Sequence, residues 1–206
     1  MTISLSKAGK RFNREWIFRN FTYDFESGQA YAITGANGSG KSTLLQVLSG
    51  AMHFNEGKCT WLDDSSKPVS TENVYRHVSI CAPYLELVEE MSLREFLLFH
   101  EVFKPFLPGI TAEVIIARLG LVSAADKQIR YFSSGMKQRV KLAQCIFTDT
   151  AIVLLDEPCT NLDLTGITLY HELINEHTRD RMVLVSSNDE VEYNFCEKRI
   201  NLFDYK

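Results

Sequence analysis

The sequence predicts an α/β fold: a mostly parallel sheet with helices on both faces, entered through antiparallel strands and carrying an inserted helical segment. Three observations predict it. Ala151-Ile152-Val153-Leu154-Leu155 and Met182-Val183-Leu184-Val185 are unbroken apolar runs, the pattern of strands covered on both sides. A glycine-rich stretch, Gly35 to Thr43, stands between the strand-like run Ala30-Tyr31-Ala32-Ile33 and the helix-like run Leu44-Leu45-Gln46-Val47-Leu48. Between these regions, apolar residues recur at helical spacing from Ser92 to Phe103 and from Thr111 to Leu119.

Taken in order, Ile3-Ser4-Leu5 and Phe21-Thr22-Tyr23-Asp24-Phe25 alternate as strands, and Glu26-Ser27-Gly28 turns the chain into the Ala30–Ile33 strand. Phe12 lies in the polar stretch Gly9 to Arg14, where a ring either caps the sheet, as Trp16 could, or stacks on a base. Gly50 ends the first helix, Gly57 to Trp61 is a strand, Asp63 to Ser70 is turn-rich, and His77 to Cys81 is a strand broken by Pro83. Residues 84–135 read as the helical insert, with Phe99, Phe103 and Phe106 as its core and Pro105, Pro108 and Gly109 closing its first helix. Ser134 to Phe147 and Leu164 to His177 are further helices, and Arg199 to Phe203 is a last strand. The whole chain is thus one domain, with a core of residues 1–83 and 136–206.

The glycine-rich stretch carries the chemistry. Gly35, Gly38 and Gly40 allow backbone conformations closed to other residues, so the N–H groups around Asn37 and Ser39 can converge on an anion. This is a phosphate-binding loop, and a P-loop NTPase (RecA-like) core is expected around it. The helix that starts near Lys41 adds its positive end. Lys41 can reach the β- and γ-phosphates, Ser42 is placed to ligate Mg²⁺, and Thr43 would meet the α-phosphate. Asp156 closes the strand Ala151–Leu155, where a parallel sheet presents its ligand groups, and is placed to hold Mg²⁺ through water. Glu157, one residue on, can polarise a water for attack on the γ-phosphate.

Composition excludes several alternatives. The chain has 206 residues, 45% of them hydrophobic and 23% charged, which is neither a disordered nor a fibrous composition. A net charge of -4 gives no general reason to bind nucleic acid, and no such partner is expected. No apolar run is long enough to span a bilayer and Met1 opens no signal-peptide pattern, so a soluble, cytoplasmic protein is expected. Cys59, Cys81, Cys145, Cys159 and Cys196 are scattered without paired spacing, which predicts reduced thiols and no metal site.

Phe132-Ser133-Ser134-Gly135-Met136-Lys137-Gln138-Arg139 then opens a helix. Together with the glycine loop and Asp156-Glu157, it resembles the signature motif of the nucleotide-binding domains of ABC (ATP-binding cassette) transporters, whose order of motifs the chain follows along essentially its whole length. The family motif reads Leu-Ser-Gly-Gly-Gln; Ser133 and Gly135 match it, while Phe132, Ser134 and Met136 depart from it. The resemblance implies an ATPase whose cofactors are ATP and Mg²⁺. It implies a head-to-tail homodimer or heterodimer, in which Ser133 and Gly135 meet the γ-phosphate held by a second subunit. It also implies a separate membrane permease docked on the insert, around residues 84–106, from the cytoplasmic face. Asp163, in Pro158-Cys159-Thr160-Asn161-Leu162-Asp163, matches the family's D-loop, and Phe12 falls at its adenine-stacking aromatic.

Two positions depart from the family. It places a glutamine after the strand ending near Cys81, where this chain has Ala82-Pro83-Tyr84-Leu85-Glu86; Tyr84 matches by position, and Glu86 could supply an oxygen. The family usually has histidine where this chain has Asn188. An amide there can still donate to a γ-phosphate oxygen, but it carries no positive charge, so slow hydrolysis is expected. A soluble cassette ATPase acting on ribosomes or DNA, and a regulatory cassette that does not hydrolyse, share these motifs. The shortness of the chain, with no appended regulatory domain expected, is similar to that of small prokaryotic exporter subunits, including those of the haem-export type.

Overall fold

Alternation of apolar and polar residues builds a long hairpin from β1 (Thr2–Phe12) and β2 (Glu15–Glu26), joined through Asn13 in a left-handed turn at φ 54°. Ile3 and Leu5 face inward against Phe21 and Phe25, all fully or almost fully buried. The strands run well beyond the stretches whose alternation is legible. The register shifts between Leu5 and Ala8 and again beside Lys10, with Lys7 at φ 47°, and each irregularity resets the two-residue period. Phe12 is therefore the last residue of a strand, beside the hairpin turn.

The computed structural model describes residues 1–206 in two compact units. Met1–Ile80, Thr150–Asp156 and Asp180–Lys206 form the first, and Cys81–Asp149 with Glu157–Arg179 form the second. In the first unit follow β3 (Ala30–Thr34), α1 (Lys41–Leu48), β4 (Glu56–Leu62), β5 (Pro68–Val69) and β6 (Val78–Cys81), the last reaching one residue past the boundary. In the second unit lie α2 (Leu93–Phe103), α3 (Ala112–Arg118) and α4 (Ser134–Phe147). The chain returns to the first unit in β7 (Ile152–Asp156), gives α5 (Leu164–His177) to the second, and ends with β8 (Met182–Ser186), α6 (Glu190–Tyr193) and β9 (Lys198–Asn201) in the first.

One sheet, in the order β2-β1-β4-β5, is antiparallel; the other runs β6-β7-β8-β3-β9, with parallel pairing of β7 to β8, β8 to β3 and β3 to β9. Every residue of β7 and β8 is buried, as their continuous apolar sequence requires. The core of this unit joins Phe18, Phe21, Phe25, Tyr31, Leu44 and Leu48, and the indole of Trp61 donates to the Leu48 carbonyl at 2.9 Å. β9 stops at Asn201, short of Phe203, because the Asn201 carboxamide accepts from the Phe203 N–H at 3.1 Å and turns the chain.

Side-chain caps start the helices of the second unit. Ser92 and Glu95 form a reciprocal capping box on α2, Thr111 caps α3 and Ser133 caps α4, and these three helices begin within a residue or two of where the sequence places them. The insert's expected aromatic core needs correction. Phe106 is buried at 6% exposure, but Phe99 is 44% exposed and Phe103 70%. Leu93, Phe96 and Leu97 fill the buried side of α2, while Phe99 and Phe103 meet each other edge-on at 5.0 Å on the side facing solvent. The helix is apolar around more of its circumference than its own unit covers, which spacing alone cannot distinguish from a wider core.

All five cysteines are thiols, and Cys159 is the one not fully buried. Burial pushes the Cys59 and Cys196 thiols up to about 12. No helix is long and apolar enough to cross a membrane.

Candidate phosphate-loop site

The turn after β3 is held open by glycine. Gly35, Gly38 and Gly40 have φ of 145°, 76° and 102°, so L side chains would be strained at each. Space also constrains Gly40: a Cβ there would lie 2.0 Å from Ile17 Cγ2 of β2. Ser39 N–H donates to the Ala36 carbonyl at 2.9 Å, and Leu44 N–H to the Gly40 carbonyl at 2.9 Å, which closes the loop and starts α1. Lys41 is only 5% exposed, and its ammonium donates to the loop's own carbonyls, Gly35 at 2.7 Å and Ala36 at 3.4 Å. Ser42 and Thr43 follow on the first turn of the helix, both half-buried.

Two further strands of the parallel sheet, β8 beside β3 and β7 beyond it, end at the same edge as the loop. β8, beside β3, delivers Ser186, Ser187 and then Asn188. The Asn188 carboxamide spans the loop: its Oδ1 accepts from Gly35 N–H at 3.3 Å and its Nδ2 donates to Asn37 Oδ1 at 2.9 Å. β7 ends in Asp156, 3% exposed and opposite Ser186 in the parallel register. Glu157 follows at φ 45°, a left-handed conformation costly for a residue with a Cβ. Phe12 keeps 46% exposure, with the Lys10 ammonium 5.0 Å from its ring centre.

The remaining predicted site residues belong to the second unit. Ser133 is exposed and caps α4, its hydroxyl accepting from Met136 N–H at 3.3 Å. Gly135 lies where a Cβ would come 3.1 Å from the Asn161 carbonyl, so a larger residue would press on the 158–163 loop. Asp163 caps α5 by accepting from Gly166 N–H at 2.8 Å. Tyr84 and Glu86 are exposed in the turn after β6.

The structure adds residues that motif reading passes over. Gln138 is buried and donates to the Pro158 carbonyl at 2.7 Å, tying the signature helix to the loop after Glu157. Its place inside the signature stretch was the only sequence signal for it. Ile17, packed on Gly40, gave no signal at all, because its contact depends on the fold.

The residues fit a magnesium nucleotide. The Ser39 and Ser186 hydroxyls are buried with no hydrogen-bond partner, one inside the glycine loop and the other beside Asp156, so polar atoms at this site await an acceptor or donor. No group of three or more His, Cys, Asp or Glu gathers to cage a metal. A lone carboxylate with a neighbouring hydroxyl suits Mg²⁺, which keeps most of its water and shares phosphate oxygens.

A parallel sheet with a glycine loop between β3 and α1, and a buried carboxylate at the end of β7, the next strand but one from β3, defines the P-loop NTPase fold. The family model of the ABC transporter matches residues 18–160. The chain belongs to the ABC transporter family. It is 30% identical over 186 residues to an uncharacterized ABC transporter ATP-binding protein, YybJ, of Bacillus subtilis, covering 87% of this chain and 82% of that one. It is 31% identical over 171 residues to the cytochrome c biogenesis ATP-binding export protein CcmA of Xanthomonas oryzae, covering 81% and 77%. Among solved structures, a putative ABC transporter ATP-binding protein from Pyrococcus furiosus superposes with a TM-score of 0.82 at 20% identity over 100% of both chains. A dimeric bacterial ABC transporter cassette gives 0.78 at 21% identity, over 97% of this chain and 93% of that one. The fold is therefore that of an ABC cassette.

Proposed function

We propose that this chain is the ATP-binding subunit of an ABC transporter, binding and hydrolysing ATP with Mg²⁺ in a head-to-tail dimer to drive a separate membrane permease. The observation that carries the reading is the glycine loop with buried Lys41 and the partnerless Ser39 hydroxyl, a set of donors whose common target is a polyphosphate. The two compact units together form one cassette. Lys41 and the loop amides position the phosphates; Ser42 and Asp156 hold Mg²⁺, which when bound neutralises charge on the phosphate oxygens. Glu157 orients the attacking water, Phe12 stacks on the base, and Ser133 and Gly135 of a second subunit complete the site, with Asp163 in the loop between.

The dimeric cassette among the structural matches, and the export role in the name of the Xanthomonas relative, support this assembly. The permease would dock on the second unit, where Leu98, Phe99, Val102 and Phe103 leave one face of α2 apolar and exposed. The subunit would then sit on the cytoplasmic face of the membrane.

The test is nucleotide binding followed by steady-state turnover, with Glu157→Gln as control. Binding in both proteins and turnover only in the wild type is expected; equal rates would remove the catalytic assignment, and failure to bind labelled ATP would remove the whole reading. Copurification with an integral membrane protein, and not with ribosomes, is expected in cells. A regulatory cassette is the second reading, favoured by Asn188 at the usual histidine position, and very low turnover of the isolated protein would select it.

A further inference from the structure

The sequence leaves Asn188 able to donate to a γ-phosphate oxygen, and its geometry points to a task within the loop itself. Its carboxamide presents one acceptor and two donors. The acceptor takes Gly35 N–H at 3.3 Å and a donor reaches Asn37 Oδ1 at 2.9 Å, so both ends of the amide are engaged by the two sides of one loop. The segment carrying it is well anchored. Ser187 N–H donates to the Ile33 carbonyl at 3.2 Å, Ser187 Oγ accepts from Asp189 N–H at 2.9 Å, and Asp189 caps α6 through Val191 N–H at 3.0 Å. A fixed arm from β8 thus grips the loop that leaves β3, at its first glycine and at its most exposed stretch, Ala36 to Gly38.

We propose that Asn188 is a positioning residue, a brace that holds the phosphate loop in its binding shape and does not discriminate the terminal phosphate. This rests on the reading of the loop as a nucleotide site. An exposed loop containing three glycines has many conformations to lose on binding, and a fixed crosslink removes that cost for every nucleotide that uses the loop. A residue that touches the γ-phosphate would instead favour triphosphate over diphosphate. The two roles separate cleanly in the ratio of ATP to ADP affinity.

Binding of Mg²⁺-ATP and Mg²⁺-ADP to the full chain, measured by titration calorimetry for the wild type, Asn188→Ala, Asn37→Ala and the double variant, tests it. Asn188→Ala should weaken both nucleotides by the same factor, about fivefold, from the loss of two hydrogen bonds. Asn37→Ala should weaken both less, because Gly35 N–H keeps its acceptor. The double variant should be no weaker than Asn188→Ala alone, since the partner is already gone. Melting of the nucleotide-free variants monitors the fold, and a general loss of folding would lower the melting temperature in all of them without linking the two positions. A selective loss of ATP affinity in Asn188→Ala, or additive losses in the double variant, would overturn the brace. A wild type that binds neither nucleotide would overturn the nucleotide site itself, a result distinct from either.

Discussion

The Lys137 ammonium, on the second turn of α4, lies 2.5 Å from the Glu89 carboxylate in the segment leading to α2. The backbone reinforces this link: Arg130 N–H donates to the Glu89 carbonyl at 3.0 Å and Ile129 N–H to the Met91 carbonyl at 2.9 Å. Residues 89–91 are thereby laced to the stretch that enters the signature motif at Phe132.

This lacing predicts a local effect of breaking the ion pair. Both side chains are partly exposed, so the pair contributes at most about 1 kcal/mol to global stability. Glu89→Gln should leave the melting temperature nearly unchanged while hydrogen exchange accelerates at the amides of 128–134. Exchanging the two charges, Glu89→Lys with Lys137→Glu, should restore protection. Unchanged exchange in Glu89→Gln would show that the backbone bonds alone hold the segment.

Gly40 tolerates no side chain. Gly40→Ala faces both a φ of 102° and the Ile17 methyl, and should lower nucleotide affinity by more than about tenfold. Adding Ile17→Ala removes the collision but not the backbone strain, so thermal stability should recover in part while binding stays weak. Full recovery of binding would show that crowding alone was the obstacle.

Gln138→Leu replaces a buried amide by an apolar group of similar size and leaves the Pro158 carbonyl without its donor. A loss of about 2 kcal/mol in urea unfolding is expected, with a larger fall in turnover than in ATP affinity, since Pro158 follows Glu157.

His100 sets an acid limb on stability. Its ring contacts Thr148 Oγ1 at 2.9 Å and Gln144 Nε2 at 3.1 Å, and burial, aided by the Lys104 charge, lowers its pKa from 6.5 to about 4. Between those values the unfolded chain takes up a proton that the folded chain refuses. Stability is therefore full above pH 6.5, falls as the pH drops towards 4, and levels below it. The wild type should lose about 1 kcal/mol more than His100→Gln between pH 7 and pH 4.5, read from urea midpoints.

The phosphate loop was legible because its function demands fixed residue types at fixed spacing, and the buried strands were legible because β7 and β8 need apolar residues on both faces. Irregularity and surroundings were not. The shift beside Lys7 hid half of β1 and β2, and the capping of Asn201 shortened β9. Phe99 and Phe103 repeat at the same spacing as buried residues do, and only the packing of the fold decides which side of α2 is covered. Asn188 stands out in the sequence as an unusual residue at its position, but its grip on Asn37 joins residues far apart in the chain and leaves no local trace.

The bare side of α2 bears on how the protein must be made. With Val102 80% and Phe103 70% exposed, copies at high concentration will adhere to each other, and purified material will cling to hydrophobic resins unless mild detergent is added.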